Sequence, residues 1–210
     1  MQVSINPDYF RVTHSFVSKE ETRYYLGGVY VEPCESGGVF LVATDGHRLG
    51  LFHDKTGETD GTYIIRMSKI DAAFRSKLAV KAVFTDSIVK VQNEHGDTIH
   101  AGGFDLVDGT FPDWRRVIPS STEKTREVAD GETLCTFNAA YLADFGFQPQ
   151  STKRNAPIEI FGTDTSSPHF IINKAFPDFV GVLMPVKADK RFPSVARDIL
   201  SAANPVKLAA

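Results

Sequence analysis

The stretch Val42-Ala43-Thr44-Asp45-Gly46-His47-Arg48-Leu49-Gly50-Leu51 decides how the rest of the chain is read. Asp45-Gly46 lies between two runs of strand formers, Val39 to Ala43 and Leu49 to Phe52. An Asp-Gly pair at such a junction predicts a tight hairpin with a type I′ turn, because both central residues of that turn take positive φ. The hairpin would hold Thr44, His47 and Arg48 at the end of a sheet and turn Leu49 toward apolar neighbours. A rigid corner of this kind, apolar below and polar at its edges, suits packing against another chain segment better than bond-breaking chemistry.

Working outward, the same order of elements recurs. Val3 to Ile5 alternates like a strand, and Asn6-Pro7-Asp8 reads as a capped helix start, predicting a helix from Pro7 to about Ser18. Its apolar side would carry Tyr9, Val12, Thr13 and Phe16. A strand pattern over Arg23 to Glu32 and the hairpin follow, with Gly37-Gly38 as a break. Tyr63 to Ile65 then begins a second unit. Ser68 caps a helix whose stripe is Ile70, Phe74 and Leu78, and strands follow at Val80 to Thr85, Ile88 to Gln92 and Thr98 to Gly102. Ser120 to Asp130 is polar and reads as a linker. A third unit has a strand at Leu134 to Phe137, a helix capped by Asn138 and ended by Gly146, and strands at Ile158 to Gly162, His169 to Asn173 and Val180 to Val186. Three strand-helix-three-strand units are a structural repeat without strong residue identity. The expected fold class is therefore α+β. The tail, 188–210, is expected to hold a short amphipathic helix around Phe192, Val195, Ile199 and Leu200.

Composition narrows the function. The chain has 210 residues, 42% hydrophobic and 23% charged, with a formal net charge of -3. That balance argues against a uniformly basic nucleic-acid binder and confines any nucleic-acid contact to a locally basic face. Cys34 and Cys135, the two cysteines, have no metal-ligand spacing and read as reduced thiols of a cytoplasmic protein. No apolar run approaches the roughly 18 residues of a membrane span, and Met1 to Ile5 is too polar for a targeting peptide. The six histidines are scattered without metal spacing. Asp45 with His47 has no nucleophile motif beside it, and Gly102-Gly103 lacks the Lys-Ser/Thr of a phosphate loop. Neither an enzyme, nor a cofactor, nor a metal site is expected.

Four stretches resemble the bacterial DNA polymerase III beta subunit, the sliding-clamp family. They are Thr22-Arg23-Tyr24-Tyr25-Leu26-Gly27-Gly28, Ala43 to Leu49, Gly109-Thr110-Phe111-Pro112-Asp113-Trp114-Arg115-Arg116-Val117-Ile118-Pro119, and Leu183-Met184-Pro185-Val186. Phe137-Asn138 with Tyr141-Leu142 and Asp144 also resembles the start of a last-domain helix. Trp114 stands where the family usually has Tyr. Residues 1–119 resemble a middle domain of two units, and 131–187 resemble half of a last domain, with 120–130 as linker and 188–210 as extra tail. The resemblance implies the DNA-clamp fold, with antiparallel sheets outside and helices on one side, in a shortened clamp of a kind a phage or prophage carries.

The resemblance also implies a pocket that takes a short linear peptide from DNA polymerase or clamp-loader proteins. Carried over position by position, its lining is Leu26, Thr44, Gly46, His47, Arg48, Leu49, Pro112, Arg116, Val117, Val182, Met184, Pro185 and Val186. Leu, Val and the adaptable Met supply an apolar floor, and His47, Arg48 and Arg116 supply rim groups for peptide oxygens. Non-specific contacts to double-stranded DNA are implied for Arg11, Lys19, Lys69, Arg75, Lys77, Lys153 and Arg154, through phosphates. A ring of twelve units would take a homo-oligomer of four such chains. Two other functions fit the same residues: a non-ring adaptor or decoy that binds clamp partners without DNA, and an interaction protein whose pocket is covered by its own tail helix.

Overall fold

A computed structural model describes residues 1–118, 135–149, 156–162 and 166–187. The chain opens with β1 (Gln2–Ile5) and α1 (Pro7–His14), then β2 (Val29–Pro33), β3 (Val39–Thr44), β4 (Arg48–Asp54), β5 (Glu58–Thr59) and β6 (Tyr63–Arg66). Strands β7 (Lys81–Thr85), β8 (Ile88–Gln92), β9 (Thr98–Gly103) and β10 (Asp105–Leu106) follow. The later residues supply α2 (Ala139–Ala143), β11 (Ile158–Phe161), β12 (His169–Asn173) and β13 (Phe179–Leu183). All strand pairs are antiparallel, in a five-stranded sheet β5-β1-β7-β8-β9 and an eight-stranded sheet β10-β6-β2-β3-β4-β13-β12-β11.

The eight-stranded sheet is what positions the site. Strand β4 pairs with β3 on one side and with β13 on the other, so strands more than a hundred residues apart in sequence are neighbours. The alternation of β2 and β3 sends Val29, Val31, Val39 and Leu41 to an inner core and Tyr30, Glu32 and Phe40 to the opposite face. The inner core is aromatic. Phe10, Phe16, Phe52, Phe74, Phe84, Phe145 and Phe179 are fully buried side chains, each contributing about 1.5–3 kcal/mol of transfer free energy. Helix α1 is seated here because Asn6 accepts the Asp8 and Tyr9 amide hydrogens at 2.9 and 3.4 Å, while its own N–H donates to Asp54 at 2.7 Å.

At the junction of β4 and β13, Gly50 faces Gly181 across the ladder. A Cβ at Gly50 would lie 2.5 Å from Cδ2 of Phe16, and one at Gly181 would overlap the Phe145 ring. The missing side chains let these two rings, 5.1 Å apart, lie directly on the sheet. The far end of the same junction is fastened by Asp178, which accepts from the Tyr9 hydroxyl at 3.0 Å and from Lys55 at 2.6 Å. Burial, then the Asp178 carboxylate, pushes the Tyr9 phenol up to about 12.

Several sequence expectations need correction. Helix α1 stops at His14 rather than Ser18, and its buried members are Pro7, Phe10, Val12 and Thr13. The second helix does not form: one 3-10 turn, Ala72–Arg75, is capped by Asp71 rather than Ser68. Phe74 is buried there but Leu78 is 66% exposed, so the stripe had no core for its last member. Glu21–Leu26 is 3-10 turns rather than strand, and residues 135–138 carry no strand. The Asp-Gly turn has positive φ at Gly46 alone, so it is not type I′, and three residues, 45–47, link the two strands. Asp86 and Ser87, at φ 50° and 63°, make the turn with two positive φ values. Among the described residues only two of the three expected unit helices, α1 and α2, are α-helices. The expected linker 120–130 and the tail helix lie outside the described residues.

Candidate functional site

The hairpin corner is built by its own side chains. Thr44 Oγ1 donates to the Arg48 carbonyl at 2.7 Å and accepts the Gly46 N–H at 3.0 Å. Asp45 Oδ1 accepts the His47 and Arg48 N–H groups at 2.9 and 3.1 Å. The β4–β13 register sets Val182 opposite Leu49 and Leu183 opposite Arg48. One residue further on, the Met184 N–H donates to the His47 carbonyl at 2.9 Å. The Asp-Gly corner and the Met-Pro end are therefore in direct contact.

Beneath them lies a second apolar cluster, on the opposite face of the sheet from the aromatic core. Leu26, Val42, Leu49, Ile64, Phe111, Trp114 and Val182 form it, with Tyr25, Leu51, Phe170 and Ile118 packed against it. Of the expected lining, Leu26, Leu49 and Val182 are floor, each under 5% exposed. Gly46 and His47 are exposed at the tip, and Met184 and Val186 present exposed apolar surface. Pro185 is half-buried, and the Val186 N–H donates to the Thr136 carbonyl at 2.7 Å. Pro112, Arg116 and Val117 are exposed on a strap, 111–118, whose Phe111 and Trp114 enter the cluster. Arg116 pairs with Asp113 at 3.2 Å. The expected lining, termed the notch below, thus borders one apolar cluster and is drawn from four stretches of sequence.

Arg48 differs from the rim donor that the sequence suggests. Its side chain is 10% exposed and is engaged within the chain. Nε donates to Asp45 at 3.1 Å, one terminal nitrogen donates to Asp144, and the other donates to the Ser15 carbonyl at 3.3 Å. The guanidinium also lies 5.2 Å from the Phe16 ring centroid and 5.0 Å from that of Tyr141. It fastens the hairpin to α1 and α2. Tyr141, absent from the expected lining, stands beside it: its ring lies 5.6 Å from that of His47. The signal was available, because the Asn138 cap, which accepts the Ala140 N–H at 2.9 Å, fixes where α2 starts and so where Tyr141 stands.

The strap is held on the sheet by another group that sequence reasoning passed over. Glu32 Oε1 accepts from Trp114 Nε1 at 3.3 Å and pairs with Arg115 at 2.6 Å, while Oε2 accepts from the Tyr30 hydroxyl at 3.0 Å. Phe111 stacks on Tyr30 at 4.6 Å. Burial, and then Glu32, pushes the Tyr30 phenol up to about 12.

The expected DNA-contacting residues that the structure describes differ in exposure. Arg11 is mostly buried and donates to Asp8 at 2.7 Å and to the Gln148 carbonyl at 3.4 Å. Lys19, Lys69, Arg75 and Lys77 are exposed, the last three around the Ala72–Arg75 turn. Lys153 and Arg154 lie outside the described residues. Among the described residues no three His, Cys, Asp or Glu side chains gather as a metal site, and no helix is long and apolar enough to cross a membrane.

Comparison with known proteins finds beta sliding clamps. The Beta sliding clamp of Caulobacter vibrioides is 37% identical over 120 residues, covering 53% of this chain and 32% of that protein. That of Escherichia coli K12 is 30% identical over 121 residues, covering 55% and 32%. The aligned part is thus about a third of these relatives' length. Among solved structures, the DNA polymerase III subunit beta sliding clamp of Bartonella birtlesii, solved with griselimycin bound, matches with a TM-score of 0.64 and 19% identity. It covers 89% of this chain and 66% of that one. The sliding clamp of Caulobacter crescentus matches with a TM-score of 0.62 and 23% identity, covering 89% and 65%. No protein-family model matches the chain.

Proposed function

For a chain that is homologous to bacterial beta sliding clamps over about half its length and has their fold, we propose the work of a DNA replication clamp: it tethers partner proteins through a short linear peptide seated in the notch, as a processivity factor that carries out no catalysis. One observation supports the notch above others. Met184 is hydrogen-bonded to His47 beside the cluster that holds Leu26, Leu49 and Val182, and it offers an apolar anchor an exposed, adaptable thioether. The partners are DNA polymerase or clamp-loader proteins. Peptide affinity should be micromolar, about -8 kcal/mol.

The test is an anisotropy titration with a fluorescein-labelled peptide bearing adjacent leucine and phenylalanine. Met184→Asp puts a charge on exposed apolar surface, which leaves the fold intact, and is expected to weaken binding about tenfold or more. Equal affinity for the two proteins would remove the notch from the function.

A second reading, a non-ring adaptor that binds clamp partners without DNA, is favoured by one feature. Arg11 is paired with Asp8, and the second helix, expected to present Lys69, Arg75 and Lys77, is a single turn.

A further inference from the structure

We propose that Glu32 is the positioning residue of the notch: its carboxylate, fixed on the outer face of β2, fastens the strap 111–118 and so sets where Pro112, Arg116 and Val117 stand at the rim. The inference rests on the peptide-notch reading and extends it to a residue outside the lining.

The strap needs such a fastening. Apart from one 3-10 turn, Trp114–Val117, it has no regular structure, and among the described residues its backbone hydrogen bonds, Arg116 to Asp113 and Ile118 to Arg115, stay within itself. What joins it to the sheet is side-chain contact. Phe111 lies on Tyr30, and Trp114 meets Phe40 edge-on at 5.4 Å. Glu32 stands opposite Phe40 in the β2–β3 register and two residues along β2 from Tyr30, so it shares their face of the sheet. It is 13% exposed and takes three donors from Tyr30, Trp114 and Arg115. The Arg115 guanidinium in turn covers the Trp114 ring at 4.2 Å from its centroid. An exposed ion pair would do little here. A largely buried carboxylate with three donors is different: removing it leaves a phenol, an indole N–H and a guanidinium without their acceptor at once. Two of those three belong to the strap.

Trp114 is the single tryptophan of the chain, so its emission reports the strap directly. The experiment pairs Trp114 emission and acrylamide quenching with the peptide titration on the full chain. In Glu32→Ala, emission shifts to the red, quenching rises, and the peptide Kd rises about tenfold, because the rim loses its preorganisation. Glu32→Gln keeps an acceptor for the indole and should stay within about threefold of the parent, with little spectral shift. Met184→Asp should weaken binding without moving the Trp114 emission. Arg115→Met, at a half-exposed position, gives the same two changes more weakly and serves if Glu32→Ala does not fold. Unchanged emission and quenching in both Glu32→Ala and Arg115→Met would overturn the proposal, as would shifted emission with unchanged affinity. If the parent chain binds no peptide, the notch reading falls. A red shift in Glu32→Ala would then leave Glu32 as a strap fastener with no peptide role, which overturns the proposal as stated.

Discussion

Arg48 shows how one side chain joins parts of the molecule far apart in sequence. Its guanidinium meets Asp45 in its own turn, Ser15 after α1 and Asp144 at the end of α2, with Phe16 and Tyr141 on its faces. Arg suits this place because its planar fork satisfies several acceptors and stacks on rings, which a lysine ammonium does not. Asp144 is 46% exposed, so solvent screens that pair and its share is discounted. Arg48→Ala is expected to lower the unfolding free energy by about 2 kcal/mol, and Asp144→Asn by roughly 0.5 kcal/mol. The double variant should lose less than the sum, since both remove one contact. Urea unfolding of the four proteins measures this, and strict additivity would separate the two residues. Nothing near Arg48 in the sequence announces this role. Asp45 is local, but Ser15 and Asp144 arrive only through tertiary structure, so a basic residue beside a turn read as a rim group.

At the scale of elements, the paired glycines of β4 and β13 decide how closely the aromatic core meets the sheet. Gly50→Ala would force Phe16 away from its seat, and overpacking of this kind costs about 1–3 kcal/mol. Combining Gly50→Ala with Phe16→Leu should recover part of that loss, because the smaller side chain vacates the space the methyl needs. Thermal or urea melts of both variants check it, and a Gly50→Ala protein as stable as the parent would show that the ring has room to move. Elements bounded by local chemistry were legible beforehand. The hairpin follows from alternation around Asp45-Gly46, and α1 and α2 start where Asn6 and Asn138 cap them. The helix expected after Ser68 failed because spacing alone does not supply a partner surface for Leu78. The pairing of β4 with β13 was not legible from any stretch by itself; only the family resemblance implied that the two ends of the notch meet.

For the whole molecule, the open question is assembly. The chain carries a formal net charge of -3, and its exposed cations near the Ala72–Arg75 turn are few. If it encloses DNA as a homo-oligomer, light scattering should give the mass of several chains, four for a twelve-unit ring. Association with a linear duplex should then weaken steeply as salt rises, from a non-specific Kd of roughly 10⁻⁴ to 10⁻⁶ M. A single-chain mass with and without duplex, together with intact peptide binding, is the result expected of the adaptor. The peptide titration and the mass measurement thus separate two functions that share the same notch.

The β4–β13 pairing also orders events in time. Residues 48–54 leave the ribosome long before 179–183, yet neither strand completes the notch without the other. Joining them closes a very long loop, a slow and late step for a growing chain. A nascent chain therefore displays the Asp-Gly corner with no Met184 beside it. If the notch seats a partner peptide as proposed, recruitment would wait until translation has passed residue 184.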